Sequence, residues 1–172
     1  MFCDEDHQYV TACLGYNLQG VLGVAVRRST GEPTVIINLP LIHKNEVWHP
    51  VSTLYWLVDP DLNEAIAGIE AQGGNCEIQR DIASDTKLQL AHREDNKYYA
   101  RARWAVLNDQ EKGIAAQVGV RELLEHAGIC GTFSHDAIKC LHAHYAFHLA
   151  RREAGSTVGK LIDSRYGLSA GI

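Results

Sequence analysis

Two runs rich in β-branched residues, VLGVAVRR from Val21 to Arg28 and PTVIINLPLI from Pro33 to Ile42, stand only Ser29, Thr30, Gly31 and Glu32 apart. Such residues suit a pleated, partly buried surface, and a gap of turn-forming types joins them most simply as an antiparallel hairpin. No other feature restricts the fold as much. A third apolar run, TLYWLV from Thr53 to Val58, follows closely and ends at Asp59 and Pro60. There an aspartate can cap a helix and a proline suits its first turn. A small three-stranded antiparallel sheet is therefore expected near the start of the chain.

The remainder reads as helix. Residues 4–14 open with acids that complement a helix dipole and reach Gly15, where a helix would stop. Leu62, Ile66 and Ile69 have helical spacing over residues 63–72, before Gly73 and Gly74. From Asp85 to Leu107, Leu88, Ala91, Tyr98, Ala102 and Ala105 are expected on one stripe, with Arg93, Lys97 and Arg101 opposite. One or two helices over 109–127 should break near Gly113 or Gly119. Ser134 is read as the cap of a helix over 135–153, buried through Ile138, Leu141, Tyr145 and Leu149, and a short helix over 158–166 closes the chain. Strands first and helices after predict an α+β fold, with the helical C-terminal two-thirds packed on the sheet. No repeat or long linker interrupts the chain, so residues 1–172 are expected to form a single domain.

Composition narrows the function classes. With 46% hydrophobic and 22% charged residues the chain can bury a core, which excludes wholesale disorder. A net charge of −5 argues against a nucleic-acid or anionic-membrane binder, which needs positive charge to neutralise phosphates. No run of 18 apolar residues is present to span a bilayer, and the acidic start from Asp4 to Asp6 does not resemble a signal peptide. A cytoplasmic location is expected. The cysteines, Cys3, Cys13, Cys76, Cys130 and Cys140, are odd in number and lack a C-x-x-C, so they are expected as reduced thiols.

The chemical oddity is a cluster of histidines, His135, His142, His144 and His148. On a continuous helix, Cys140 with His144, or His144 with His148, stands at the four-residue spacing at which two side chains reach one metal ion. Zinc or another divalent metal would then sit on Cys140, His144 and His148, with His135, Cys130 or a distant carboxylate completing the shell. The same groups also suit acid/base work or a Cys140 nucleophile, with Cys140, His142 and His144 as candidates. Plain packing remains open for all of them. Arg93, Lys97 and Arg101, with Arg103 and His92, form a candidate anion site for a phosphate-containing small molecule, against the plainer reading of a solvated helix face.

In order and spacing, the segments Gly20-VLGVAVR, Gly31-Glu32-Pro33-TVI, Ser52-TLYWL, IEAQG at 69–73 and Lys139-CLHAHYAFHLA resemble the bacterial domain-of-unknown-function 501 family from about residue 8 to residue 168. The T-L-Y-W-L and K-C-L-H-A-H-Y-A segments are the most specific. The resemblance carries no established activity. It implies that relatives often place a cysteine soon after the first strand and another after T-L-Y-W-L, where this chain has Arg28-Ser29 and Val58-Asp59-Pro60. If those thiols join the one at Cys140 around a metal, this chain has lost two ligands, with Asp59 as a hard-ligand substitute.

No Walker loop, G-x-S-x-G or G-x-G-x-x-G occurs, so no complete catalytic set is visible. The leading expectation is a non-catalytic interaction or ligand-binding protein, partnered by another protein or a second copy of itself. The alternative is a small enzyme or a metal- or phosphate-ligand-binding protein. It would use the Cys/His-rich segment 139–148 and the basic stripe 93–103.

Overall fold

The structure, a computed structural model, describes residues 2–15 and 18–168. Helix α1 (Asp4–Leu14) starts with three acids and stops at Gly15, whose φ of 75° is the left-handed conformation a helix end favours. Strands β1 (Val21–Arg27) and β2 (Pro33–Asn38) form the expected antiparallel hairpin. The chain then departs from expectation. Instead of one strand to His43, β3 (Leu41–Lys44) and β4 (Val47–Pro50) form a separate two-stranded sheet. Pro40 has no N–H to donate, so the ladder cannot continue through it. The chain reverses at Asn45 and Glu46, both at positive φ. Strand β5 (Tyr55–Leu57) then pairs with β2, giving the sheet order β1-β2-β5.

Helix α2 (Pro60–Ala71) begins as its sequence suggests, with Pro60 in the first turn and the Asp59 carboxylate accepting from Leu62 N at 3.1 Å. After Gly73 comes a helix the periodicity did not reveal, α3 (Gly74–Ser84), which buries only Gly74, Ile78 and Ile82. Asp85 caps α4 (Thr86–Val106) through Lys87 N at 2.7 Å. α5 (Asp109–Gln117) and α6 (Arg121–His126) break at Gly119 rather than Gly113, and a 3-10 turn covers Ile129–Gly131. α7 (Leu141–Ala150) and α8 (Thr157–Tyr166) complete the fold. The architecture is α+β, as expected. No helix among the described residues is long and apolar enough to cross a membrane.

Two corrections matter for the site. The expected helix over 135–153 starts six residues late, at Leu141. Upstream of it the Gln79 amide accepts from Ile138 N at 2.9 Å and donates to the Asp136 carbonyl at 2.7 Å, while Asn75 donates to the Lys139 carbonyl. Side chains of α3 thus satisfy backbone groups that a helix would otherwise use, and the segment runs as a turn at His135 and Asp136 followed by irregular chain. Second, α4 does not bury the expected stripe: Ala91, Tyr98 and Ala105 are exposed, whereas His92, Asp95, Asn96, Tyr99, Ala100 and Arg103 are buried.

That polar stripe is stable because partners reach it. The Arg103 guanidinium, wholly buried, donates to the carbonyls of Ser52, Leu123, Leu124, Ala127 and Gly128. Asp95 accepts from Arg151 Nη1 at 2.6 Å and from both N and Oγ1 of Thr157 at 2.7 Å. Buried polar groups are tolerable only when bonded in this way. The main apolar core joins Val35 and Leu57 of the sheet to Ile66, Ile69, Ile78, Ile82, Leu141, Tyr145, Val158 and Ile162. Helix α1 covers the opposite face, where Val10 meets Ile36 and Val58. Helix α7 lies against β5 and α8 at the centre of the fold, with its N-terminus facing the end of α2.

Candidate metal centre

Cys140 occupies the N-cap of α7 in an extended conformation, and its side chain makes no capping bond. The capping role falls to Glu70 in the last turn of α2, whose Oε1 accepts from Leu141 N at 2.5 Å. The other Glu70 oxygen lies 3.3 Å from His142 Nδ1. On its far side the His142 ring places Nε2 3.2 Å from the Asn63 carbonyl. A carbonyl oxygen can only accept, so Nε2 carries the proton of that contact, and Nδ1 faces the Glu70 carboxylate and Cys140, where a metal would take the place of its proton. Cys140 Sγ stands 3.9 Å from that nitrogen.

A sulfur, a nitrogen and a carboxylate oxygen thus converge, all within 4.8 Å of one another. Ordinary zinc bond lengths and tetrahedral angles require separations of about 3.6 Å for S···N and about 3.4 Å for N···O. The observed 3.9 and 3.3 Å need only small side-chain adjustments. The set is mixed in softness, which suits zinc better than magnesium or calcium. The bond from Nε2–H to a backbone carbonyl is the usual orienting contact of a metal-bound histidine.

Cys130 completes the neighbourhood. It sits at φ 58°, a left-handed conformation that costs a non-glycine residue about 1 kcal/mol or more, and it lines the same cleft as Cys140. A hydrogen bond between the two thiols, then burial, raises the Cys130 pKa. The same bond, with that to His142, holds Cys140 well below the usual thiol range against the opposing effect of burial. His142 is pushed up, chiefly by its bond to Cys140 and also by the charge of Glu70, with burial opposing.

The other sequence candidates lie elsewhere. His144 is 1% exposed and packs on His92, with 5.5 Å between ring centroids. Neither of its ring nitrogens has a hydrogen-bond partner, and burial pushes its pKa down to about 3. His148 spends both nitrogens locally, donating from Nε2 to Asp163 and accepting at Nδ1 from Ser156 N. The structure therefore does not bring Cys140, His144 and His148 together. The Cys140/His144 spacing is void because Cys140 precedes the helix, and the His144/His148 pair, though within it, is divided between a buried ring on His92 and a ring engaged by Asp163 and Ser156. His135 lies against the His126 carbonyl.

The basic stripe is largely neutralised. Arg93 forms a two-pronged pair with Asp136 at 2.6 and 2.8 Å, Lys97 pairs with Glu94 at 2.8 Å, and Arg103 points inward. Arg101 is exposed. Asp59 gives both oxygens to Arg28 and one of them also to Leu62 N, which leaves it engaged in an ion pair and a helix cap rather than free for a metal. Glu70 and Asn63 were invisible as site residues, since nothing in the local pattern of α2 marks a carboxylate and a carbonyl that α7 will meet.

Beside Cys140 and His142 opens a cleft of about 340 Å³ between β5 and the start of α7. A family model described as a protein of unknown function (DUF501) matches residues 24–164. No curated protein and no solved structure matches the chain.

Proposed function

The chain belongs to the DUF501 family, whose function is unknown, and from that premise we propose that it is a metal-binding protein holding one zinc-like divalent ion on Glu70, Cys140 and His142. The observation that carries this reading is the convergence of His142 Nδ1, its ring fixed by the Asn63 carbonyl, with a thiol and a carboxylate. Three protein ligands beside a cleft are the arrangement in which zinc keeps a fourth position for water or substrate and can act as a Lewis acid. The protein's own contribution is orientation. Asn63 fixes the imidazole, Leu141 N steadies Glu70, and the N-terminus of α7 favours negative charge on Cys140.

The test is calorimetric titration of zinc into untagged, metal-free protein under a non-chelating reductant. One ion per chain is expected, with His142→Ala and Cys140→Ser each weakening it by more than the roughly 10- to 100-fold typical of changes behind the ligands. Unaltered affinity in both variants would remove the site. Loss only in His148→Ala would move it to the alternative that periodicity suggested.

A further inference from the structure

The cleft beside the metal ligands says what kind of molecule the centre would meet. Its walls include Tyr55, Trp56, Leu57 and Ala143, and among the described residues no lysine, arginine, aspartate or glutamate lines it. Trp56 donates its indole N–H to the Thr53 carbonyl at 3.1 Å, so its polar edge is already satisfied; it packs on Ile36 and Val58 beneath α1 and also lines the cleft at the sheet edge. Tyr55 is held by an edge contact with Tyr99 and a stacked contact with Phe147, at 6.0 and 6.1 Å between centroids. Ala143, small and on the first turn of α7, leaves the room between them. The volume falls at the lower end of small-molecule sites, of order 300–1,000 Å³.

Charge narrows the class further. A divalent ion neutralised by one thiolate and one carboxylate creates no net demand for an anion in the fourth position. No cationic side chain in the wall offers a phosphate its counter-charge. We infer that the cleft admits an uncharged, flat, aromatic small molecule that presents a nitrogen, oxygen or sulfur donor to the fourth position of the metal, with Trp56 as the residue that selects the ring. This inference rests on the metal-site reading. It differs from the phosphate-ligand expectation attached to the basic stripe.

Cobalt(II) substitution separates the two levels. Cobalt bound through Cys140 gives a thiolate-to-metal charge-transfer band before any other ligand is added. If that band is missing in reduced protein, the metal reading fails and this inference falls with it. If it is present, imidazole and 4-phenylimidazole are titrated as probes and the visible bands of cobalt are followed. Both should perturb the spectrum, and the phenyl compound should bind about tenfold tighter or more, as burial of one ring implies. Inorganic phosphate should leave the spectrum unchanged. Trp56→Leu keeps an apolar side chain in the strand, and its own cobalt band reports that the site has folded. In that variant the preference for the phenyl probe should shrink at least about threefold. Equal affinity for the two probes, or a preference that Trp56→Leu leaves intact, would overturn the inference. A spectrum blind to both probes in the parent but responsive in Cys130→Ala would also overturn it, because Cys130 would then be the fourth ligand and the centre closed.

Discussion

Arg103 and His142 are both polar side chains on the interior of a helical layer, and the contrast between them separates structure from function. Arg103 is wholly enclosed and places its donors on five backbone carbonyls from three segments, so the loop before β5, α6 and the residues leading into the 3-10 turn are tied to α4. Nothing in that hub is left to bind anything else. His142 is partly exposed, has one nitrogen pinned to a carbonyl, and aims the other at two further donor atoms beside an open cleft. A closed set of hydrogen bonds stabilises; a convergent set of ligand atoms at a cleft is a place for a metal.

The hub should give the largest effect. Arg103→Leu removes the donors from five buried carbonyls, and with about 1–3 kcal/mol at stake for each unsatisfied group the loss should exceed about 3 kcal/mol. A urea midpoint close to the parent's would break the contrast, since the hub would then not be holding the fold. His142→Ala should show the reverse pattern. Zinc affinity collapses, while metal-free stability changes by about 1 kcal/mol or less for a partly exposed side chain. His144→Ala should lower the midpoint, by about 2 kcal/mol, and leave zinc affinity alone, because its ring is core packing on His92.

Those two histidines bear on how much of the fold was legible. The hairpin, the Asp59-Pro60 helix start and the Gly15 stop were all readable, because each depends on residues adjacent in the chain. The candidate site was half legible. Cys140 and His142 were named, but the helix was started at residue 135, which placed Cys140 on a helical face beside His144. The true start is set by Gln79 and Asn75, which are remote in sequence. The stripe of α4 was misread for the same reason: Asp95, Asn96 and Arg103 read as surface residues until Thr157, Ile129 and Leu124 supply their partners. Long-range hydrogen bonding, which leaves no periodicity, separated the expectation from the structure.

Acid should sharpen the contrast at intermediate size. Burial lowers the pKa of both His92 and His144, the latter to about 3, from an ordinary value of 6.5. Both are therefore neutral when folded, and below pH 6.5 the unfolded chain takes up protons that the folded chain refuses. Stability should be complete above that pH and decline as the pH falls below 6.5, for His144 down towards 3 at a slope of at most about 1.4 kcal/mol per unit, with His92 adding a loss of the same sign. Urea midpoints at pH 7, 6 and 5 check this, and His144→Leu should flatten the slope. The smallest effect belongs to the basic stripe. Arg93 and Asp136 are each about half exposed and their pair is screened by solvent, so Arg93→Gln should leave the urea midpoint and zinc binding nearly unchanged.

The most direct measurement is zinc X-ray absorption on the one-to-one complex of the reduced protein. One sulfur at about 2.3 Å with nitrogen or oxygen neighbours at about 2.0–2.2 Å is the expected shell, with Cys140 alone supplying sulfur and a position left open to the cleft. A shell with no sulfur, or with two, would contradict it. The first outcome would leave Cys140 outside the centre, and the second would bring in Cys130 and close it.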